Sequence, residues 1–340
     1  MTDMIGKPLE NKSAQPLSDG EVATISFGQK ITWSALAPPL VFFAMLLAVS
    51  VLNSNYLGPL GISIATATAA PIMFLALGQS MVLNIGSIDL SNAAIALLGA
   101  LLLALSLPSL GVGAFVLILL LVTLIGAING AVIAYAQVPS FALTLGTLAI
   151  LQTAALVVSG ADTIYVSENR DLVSILFEKQ ILNAPLTFWI GILTAFILWV
   201  VLRYTILGQN MTAMGKNELG ATLSAVPTRR VRIITYALSG FMGGLAGLSI
   251  VAQAGSASAS GLGSDLLLPG IAAALIGGTS ISGGQTNPLN VVFGGLTVGF
   301  VPIAIQAMGL GAQAQSLVYG IFIILVVALT TVRSRESVIK

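Results

Sequence analysis

Asp89 is the one charged side chain between Ile31 and Ala161. A carboxylate in hydrocarbon costs about 2.5–3.5 kcal/mol on insertion scales, so this one must face protein, water or an interface. Its surroundings, Asn84-Ile85-Gly86-Ser87-Ile88-Asp89-Leu90-Ser91, read as the entrance to a helix beginning near Leu90. There the carboxylate can accept from unpaired N–H groups and favour the positive end of the helix dipole. A structural cap and a role in a transport path or gate both fit those residues. Cation coordination would need further acidic ligands, and none is near in sequence. Covalent chemistry has little to draw on. The chain has no His and no Cys, which removes the usual general base, disulfides and thiolate metal sites. Gly278-x-x-x-x-Gly283 is followed by Gly284, where a phosphate-binding loop requires Lys, so no nucleotide-hydrolysing site is expected.

Amides are the other polar resource. Gln79, Asn129, Gln152 and Gln306 fall in or beside apolar stretches. With aromatic faces such as Phe74, Phe141, Trp189 and Phe300 they suit a polyhydroxylated solute, whose desolvated hydroxyls need donors and acceptors. Helix-to-helix bonding is the alternative for each. Ser91, Gly277 and Gly278 join Asp89 as candidates for gate or packing positions, because small residues let backbones approach closely in a membrane.

The elements that must hold these residues follow from composition. Charged residues make up 7% of the chain, against about 25% in a soluble domain, and mean hydropathy is +1.02. An integral membrane protein is implied. A net charge of +1 without a basic, aromatic-interleaved stripe gives no support for nucleic acid. A span needs about 20 mostly apolar residues. That rule predicts an all-α, polytopic bundle of about ten spans, near 34–53, 62–82, 90–107, 112–134, 140–159, 186–204, 233–252, 267–282, 289–307 and 313–331. Residues 1–30 and 333–340 are expected to be tails on a membrane domain of residues 31–332. A faint internal echo relates Ile88–Ala100 to Ser264–Gly278: each begins with an Asp and runs into small residues. Five-span halves of inverted topology would produce it.

Residues 203–232 carry Arg203, Lys216, Arg229, Arg230 and Arg232 against the single acid Glu218, a net +4. Short basic loops stay on the cytoplasmic side. The segment 160–185, net −2, suits the opposite side, and with ten spans both termini become cytoplasmic. Within the basic loop, Met214–Ala225 is expected to form one short helix ended by Pro227, with Asn217 and Glu218 near its first turn. Its small residues, Gly215, Gly220, Ala221, Ser224 and Ala225, would let another surface come close. Anchoring of the arginines at anionic lipid headgroups is the plainer reading.

Four blocks in order resemble the membrane subunits of ATP-binding-cassette importers for ribose-type sugars. They are Ile88-Asp89-Leu90-Ser91, the run 128–146, the loop 213–232 and the run 271–284. Lys216 and Ala225 stand where the family usually carries Gly. The resemblance implies a bacterial inner-membrane protein with a second permease copy or homologue. It also implies a separate cytoplasmic ATPase that uses ATP and Mg, an extracytoplasmic sugar-binding protein, and no cofactor on this chain. It further implies that the loop 205–232 couples to the ATPase through Gly215, Lys216, Asn217, Glu218, Ala221 and Ser224. Asp89, Ser91, Gly277 and Gly278 would pack near a gate. On the residues alone an ion-gradient transporter using Asp89 and Asp265 is the competing reading.

Overall fold

The computed structural model describes residues 33–52, 58–259, 265–311 and 313–330. The expected tails at 1–30 and 333–340 lie outside these residues. The described chain forms α1 (Trp33–Leu52), α2 (Pro59–Asn84), α3 (Asn92–Leu110), α4 (Val112–Ala136) and α5 (Ser140–Ser159). Then come β1 (Thr163–Tyr165), α6 (Asp171–Glu178), β2 (Gln180–Ile181), β3 (Ala184–Pro185) and α7 (Leu186–Tyr204). The remainder is α8 (Ile206–Lys216), α9 (Glu218–Leu223), α10 (Thr228–Ala254), β4 (Ser256–Ser258), α11 (Leu267–Ile276), α12 (Pro288–Ala307) and α13 (Ala314–Thr330).

Seven of these helices, α2 to α5, α7, α10 and α12, are long and apolar enough to cross a membrane. Proline and glycine punctuate them. Pro59 and Pro288 occupy first-turn positions of α2 and α12, where a missing N–H costs nothing. Gly111 and Gly160 take positive φ at the ends of α3 and α5, a conformation that side chains disfavour. The helices form an inner and an outer group. About two thirds of the apolar window of α2 and α3 is buried, against 17% for α5 and 28% for α7. Equally apolar helices with so little protein cover present their remaining surface to lipid or to another subunit.

The core is built where α10 crosses α4, α2 and α3, and where α12 crosses α2. The α4–α10 crossing is a backbone contact. A Cβ on Gly126 would run into the Tyr236 carbonyl, and one on Gly240 into the Val122 carbonyl. Small residues four apart allow this closeness in apolar helices. At one end of the bundle, β1 pairs antiparallel with β4, Thr163 opposite Ser258. That ties the connection after α5 to the end of α10.

Three expectations are corrected. The stretch 267–282 is helical only over Leu267–Ile276, about 15 Å at 1.5 Å per residue, half of a membrane's hydrocarbon. Gly277 and Gly278 turn the chain, and Thr279–Asn287 is irregular. The single helix foreseen over 214–225 is split at Asn217 into α8 and α9. The split occurs because the Asn217 side chain accepts from the Gly220 N–H (2.9 Å) and starts a new helix. Pro227 does not end that helix: α9 stops at Leu223, and the Val226 N–H returns to the Ala221 carbonyl (3.0 Å). Pro227 instead starts α10, and Arg229, Arg230 and Arg232 occupy its first turns.

Candidate functional site

Between α2 and α3 the backbone leaves the helical path for Ile85–Ser91, and Asp89 sits at its centre with 1% exposure. One carboxylate oxygen accepts from the Ser91 N–H (2.9 Å) and the Ser91 hydroxyl (2.6 Å). The other accepts from the Ser239 hydroxyl of α10 (2.7 Å). The Asn92 amide donates to the Ser239 oxygen (2.8 Å). On the other flank the Asn129 amide of α4 donates to the Ser91 oxygen (3.0 Å), and the Thr147 hydroxyl of α5 donates to Asn129 (2.9 Å). A single carboxylate thus organises a chain of hydrogen bonds across α3, α4, α5 and α10. The surrounding backbone is held too. Ser140 accepts from the Ile88 N–H, Thr144 from the Leu90 N–H, and Tyr236 donates to the Ile88 carbonyl. Asp89 accepts a backbone N–H at the start of α3, as a cap would, but Ser91 is the capping residue and most of the carboxylate's bonds are to hydroxyls.

Ser91 and Asn129 therefore share one network with Asp89. Gln79 lies nearby on α2, 2% exposed, and lines a small void with Asp89 and Asn92. Gln152 and Gln306 are elsewhere. Gln152 is half-buried on α5, and Gln306 is exposed beside Gln315 in an open groove with Thr68 and Leu310. The four amides do not line one path within this chain. Gly277 packs against the Val291 backbone of α12, and Gly278 takes φ +83° in the turn. Neither is a hydrogen-bond partner of Asp89.

The second region is α8–α9. Here the small residues divide into two sets. A Cβ on Gly215 would strike the Asn84 carbonyl and the Gly284 N–H. Gly215 therefore wedges α8 against the end of α2 and the 283–284 turn, which is itself held by Gly284 N–H to Asn84 carbonyl (2.8 Å). Ala221 is buried, at 6% exposure. Gly215 is half-buried, and both residues pack against this chain's own helices. Lys216, Asn217, Glu218, Ser224 and Ala225 are exposed. So are two residues that sequence reasoning passed over, Leu219 at 70% and Leu223 at 80%. Their i, i+4 spacing inside a charged loop was the available signal. Glu218 pairs with Arg232 at 2.6 Å, fastening α9 to α10, while Arg229 lies over the Tyr135 ring, 5.4 Å from its centroid. Beneath α9 is an open polar cleft of about 510 Å³ whose walls include Gln137, Ser140, Thr222 and Arg229. Among the described residues no group of three or more His, Cys, Asp or Glu could hold a metal ion.

Long apolar helices joined by buried hydrogen bonds, with two short helices between α7 and α10, define a polytopic membrane protein. The chain belongs to the family described as branched-chain amino acid transport system / permease component, whose model matches residues 61–327. Membership makes it a membrane permease component, not an enzyme. It is 31% identical to the ribose import permease protein RbsC of Haemophilus influenzae over 259 residues, 74% of this chain and 79% of that one. RbsC of Bacillus subtilis is 31% identical over 302 residues, 88% and 93% of the two chains. The D-allose transport system permease protein AlsC of Escherichia coli is 31% identical over 268 residues, 77% and 81%. No solved structure matches the chain.

Proposed function

We propose that this chain is the permease subunit of an ATP-binding-cassette importer carrying a monosaccharide or related polyol across the bacterial inner membrane. A separate cytoplasmic ATPase uses ATP and Mg, a second permease copy or homologue completes the path, and an extracytoplasmic binding protein delivers the solute. The relatives named for ribose and D-allose support the solute class. The observation that carries the coupling is the exposure of Leu219 and Leu223 on α9 while Gly215 and Glu218 fasten that segment to α2 and α10. An exposed apolar pair on a fixed mount is what a docking helix needs. Force at α9 would travel through Gly215 to the α2 end and the 283–284 turn, and through Arg232 to α10.

Ten crossings, one of them made by the half-helix α11 together with the irregular chain after it, and cytoplasmic termini and α8–α9 fit the basic character of 203–232. Helix contacts support an inverted repeat pairing α2 with α10, α3 with α11, α4 with α12 and α5 with α13. The α4–α10, α3–α10, α3–α4 and α3–α5 contacts then correspond to α12–α2, α11–α2, α11–α12 and α11–α13. Gly126 and Gly130 of α4 correspond to Gly295 and Gly299 of α12, all four at backbone crossings. The α1–α7 pair departs from the pattern, since both touch α12.

The test is co-purification with the partner ATPase and solute uptake in proteoliposomes. The double substitution Leu219→Ser/Leu223→Ser should abolish ATPase capture and uptake. Retention of both, or labelling of Lys216 only from outside the cell, would overturn the assignment.

A further inference from the structure

Two amide atoms beside Asp89 have no partner: Nε2 of Gln79 and Oδ1 of Asn92, in residues 2% and 3% exposed. The Asn92 orientation follows from chemistry. Ser239 gives its proton to Asp89, so its oxygen must receive from the Asn92 NH2, and Oδ1 is left as the free acceptor. Gln79 contributes a free donor. Both residues, with Asp89, line one small, partly open pocket together with Leu75 of α2 and Leu266, Gly270 and Ile271 at the start of α11. Its volume is about 10 Å³, at the lower edge of what a single water requires. Unmet buried polar atoms cost about 1–3 kcal/mol each, so a pocket whose walls include both residues is not the apolar kind that stays dry.

We infer that this void is a binding site for one ordered water, which accepts from Gln79 and donates to Asn92 and to Asp89. A metal ion does not suit the same atoms. The Gln79 NH2 repels it, and Asp89 already accepts from three donors. A carbon-bearing hydroxyl exceeds the one water-sized space available beside these side chains. The water therefore joins α2 to the hydrogen-bonded chain of α3, α4, α5 and α10 against the wall formed by the half-helix. The inference does not depend on the solute or on the ATPase.

Cryo-electron microscopy of the full chain in lipid nanodiscs without solute, at a resolution that shows waters, reads the site directly. Density within about 2.7–3.2 Å of both Gln79 Nε2 and Asn92 Oδ1 is expected. An empty void, or protein partners for both atoms, would overturn the site. Thermal unfolding gives a second reading through Gln79→Leu and the near-isosteric Gln79→Met. A bound water predicts that Tm falls in both, by about 2 °C or more, because the water loses its donor. A dry void predicts that Tm rises, because an unmet amide is removed. Replacing choline by sodium should leave the wild-type Tm unchanged, and a sodium-dependent rise would assign a cation instead. If neither variant folds, the density alone decides.

Discussion

The Ile85–Ser91 break and the α8–α9 segment are both polar interruptions of an apolar chain, each with glycine and a single acid. They use these in opposite ways. At the first, the acid is 1% exposed and its bonds run inward to α3 and α10. At the second, Glu218 is half-exposed and makes one ion pair, while the segment turns Leu219 and Leu223 outward. Burial decides the difference. A desolvated carboxylate must satisfy its lone pairs within the protein, whereas a solvated one leaves its neighbours free for a partner. The chain therefore keeps its polar bonds where helices must be held together and its apolar side chains where something else must bind.

That contrast can be broken in graded steps. Gly126→Leu, at the crossing behind the Asp89 network, places a side chain in the Tyr236 carbonyl and should cost about 3 kcal/mol or more. The expected readout is loss of monodisperse protein in size-exclusion chromatography. Asp89→Leu removes the acceptor shared by Ser91 and Ser239 and should cost about 2 kcal/mol, read as a lower Tm. Asp89→Asn, which keeps one acceptor, should lose less, and an equal loss would mean that charge rather than hydrogen bonding matters there. Glu218→Ala breaks the pair with Arg232, whose partner carboxylate is solvated, and should cost no more than about 1 kcal/mol. Its larger consequence is expected in the ratio of solute moved to ATP hydrolysed, because α9 loses its tie to α10. The smallest effect on stability belongs to Leu219→Ser/Leu223→Ser, within about 0.5 kcal/mol. A Tm shift as large as that of Asp89→Leu would show those leucines to be part of the fold and not a free surface.

Much of this was legible in the residues. Apolar runs of span length located α2 to α5, α7, α10 and α12 to within a few residues, since hydrocarbon admits only helices with satisfied backbones. Asp89 stood out because a lone acid in such a chain has to be explained. The residues around it could not be assembled from sequence. Ser239 is 150 positions away, and nothing local in α10 marks which serine faces the carboxylate. What Gly215 and Ala221 pack against within the chain was hidden for a related reason: a small residue signals close approach without saying to what. The break at Asn217 was missed because Asn is tolerable inside a short helix and decisive only when its side chain turns back to a backbone N–H.

By itself, then, the sequence determined that this is a membrane-embedded, helical protein whose positive charge clusters around residues 203–232. Hydropathy and charge are properties of each residue against its solvent, and they need no partner. Which glycines form the α4–α10 seam, which hydroxyls complete Asp89 and which leucines are left uncovered on α9 were decided by the tertiary structure alone. Those are relations between residues far apart in the chain, set by how helix faces rotate to exclude voids and pair buried polar atoms.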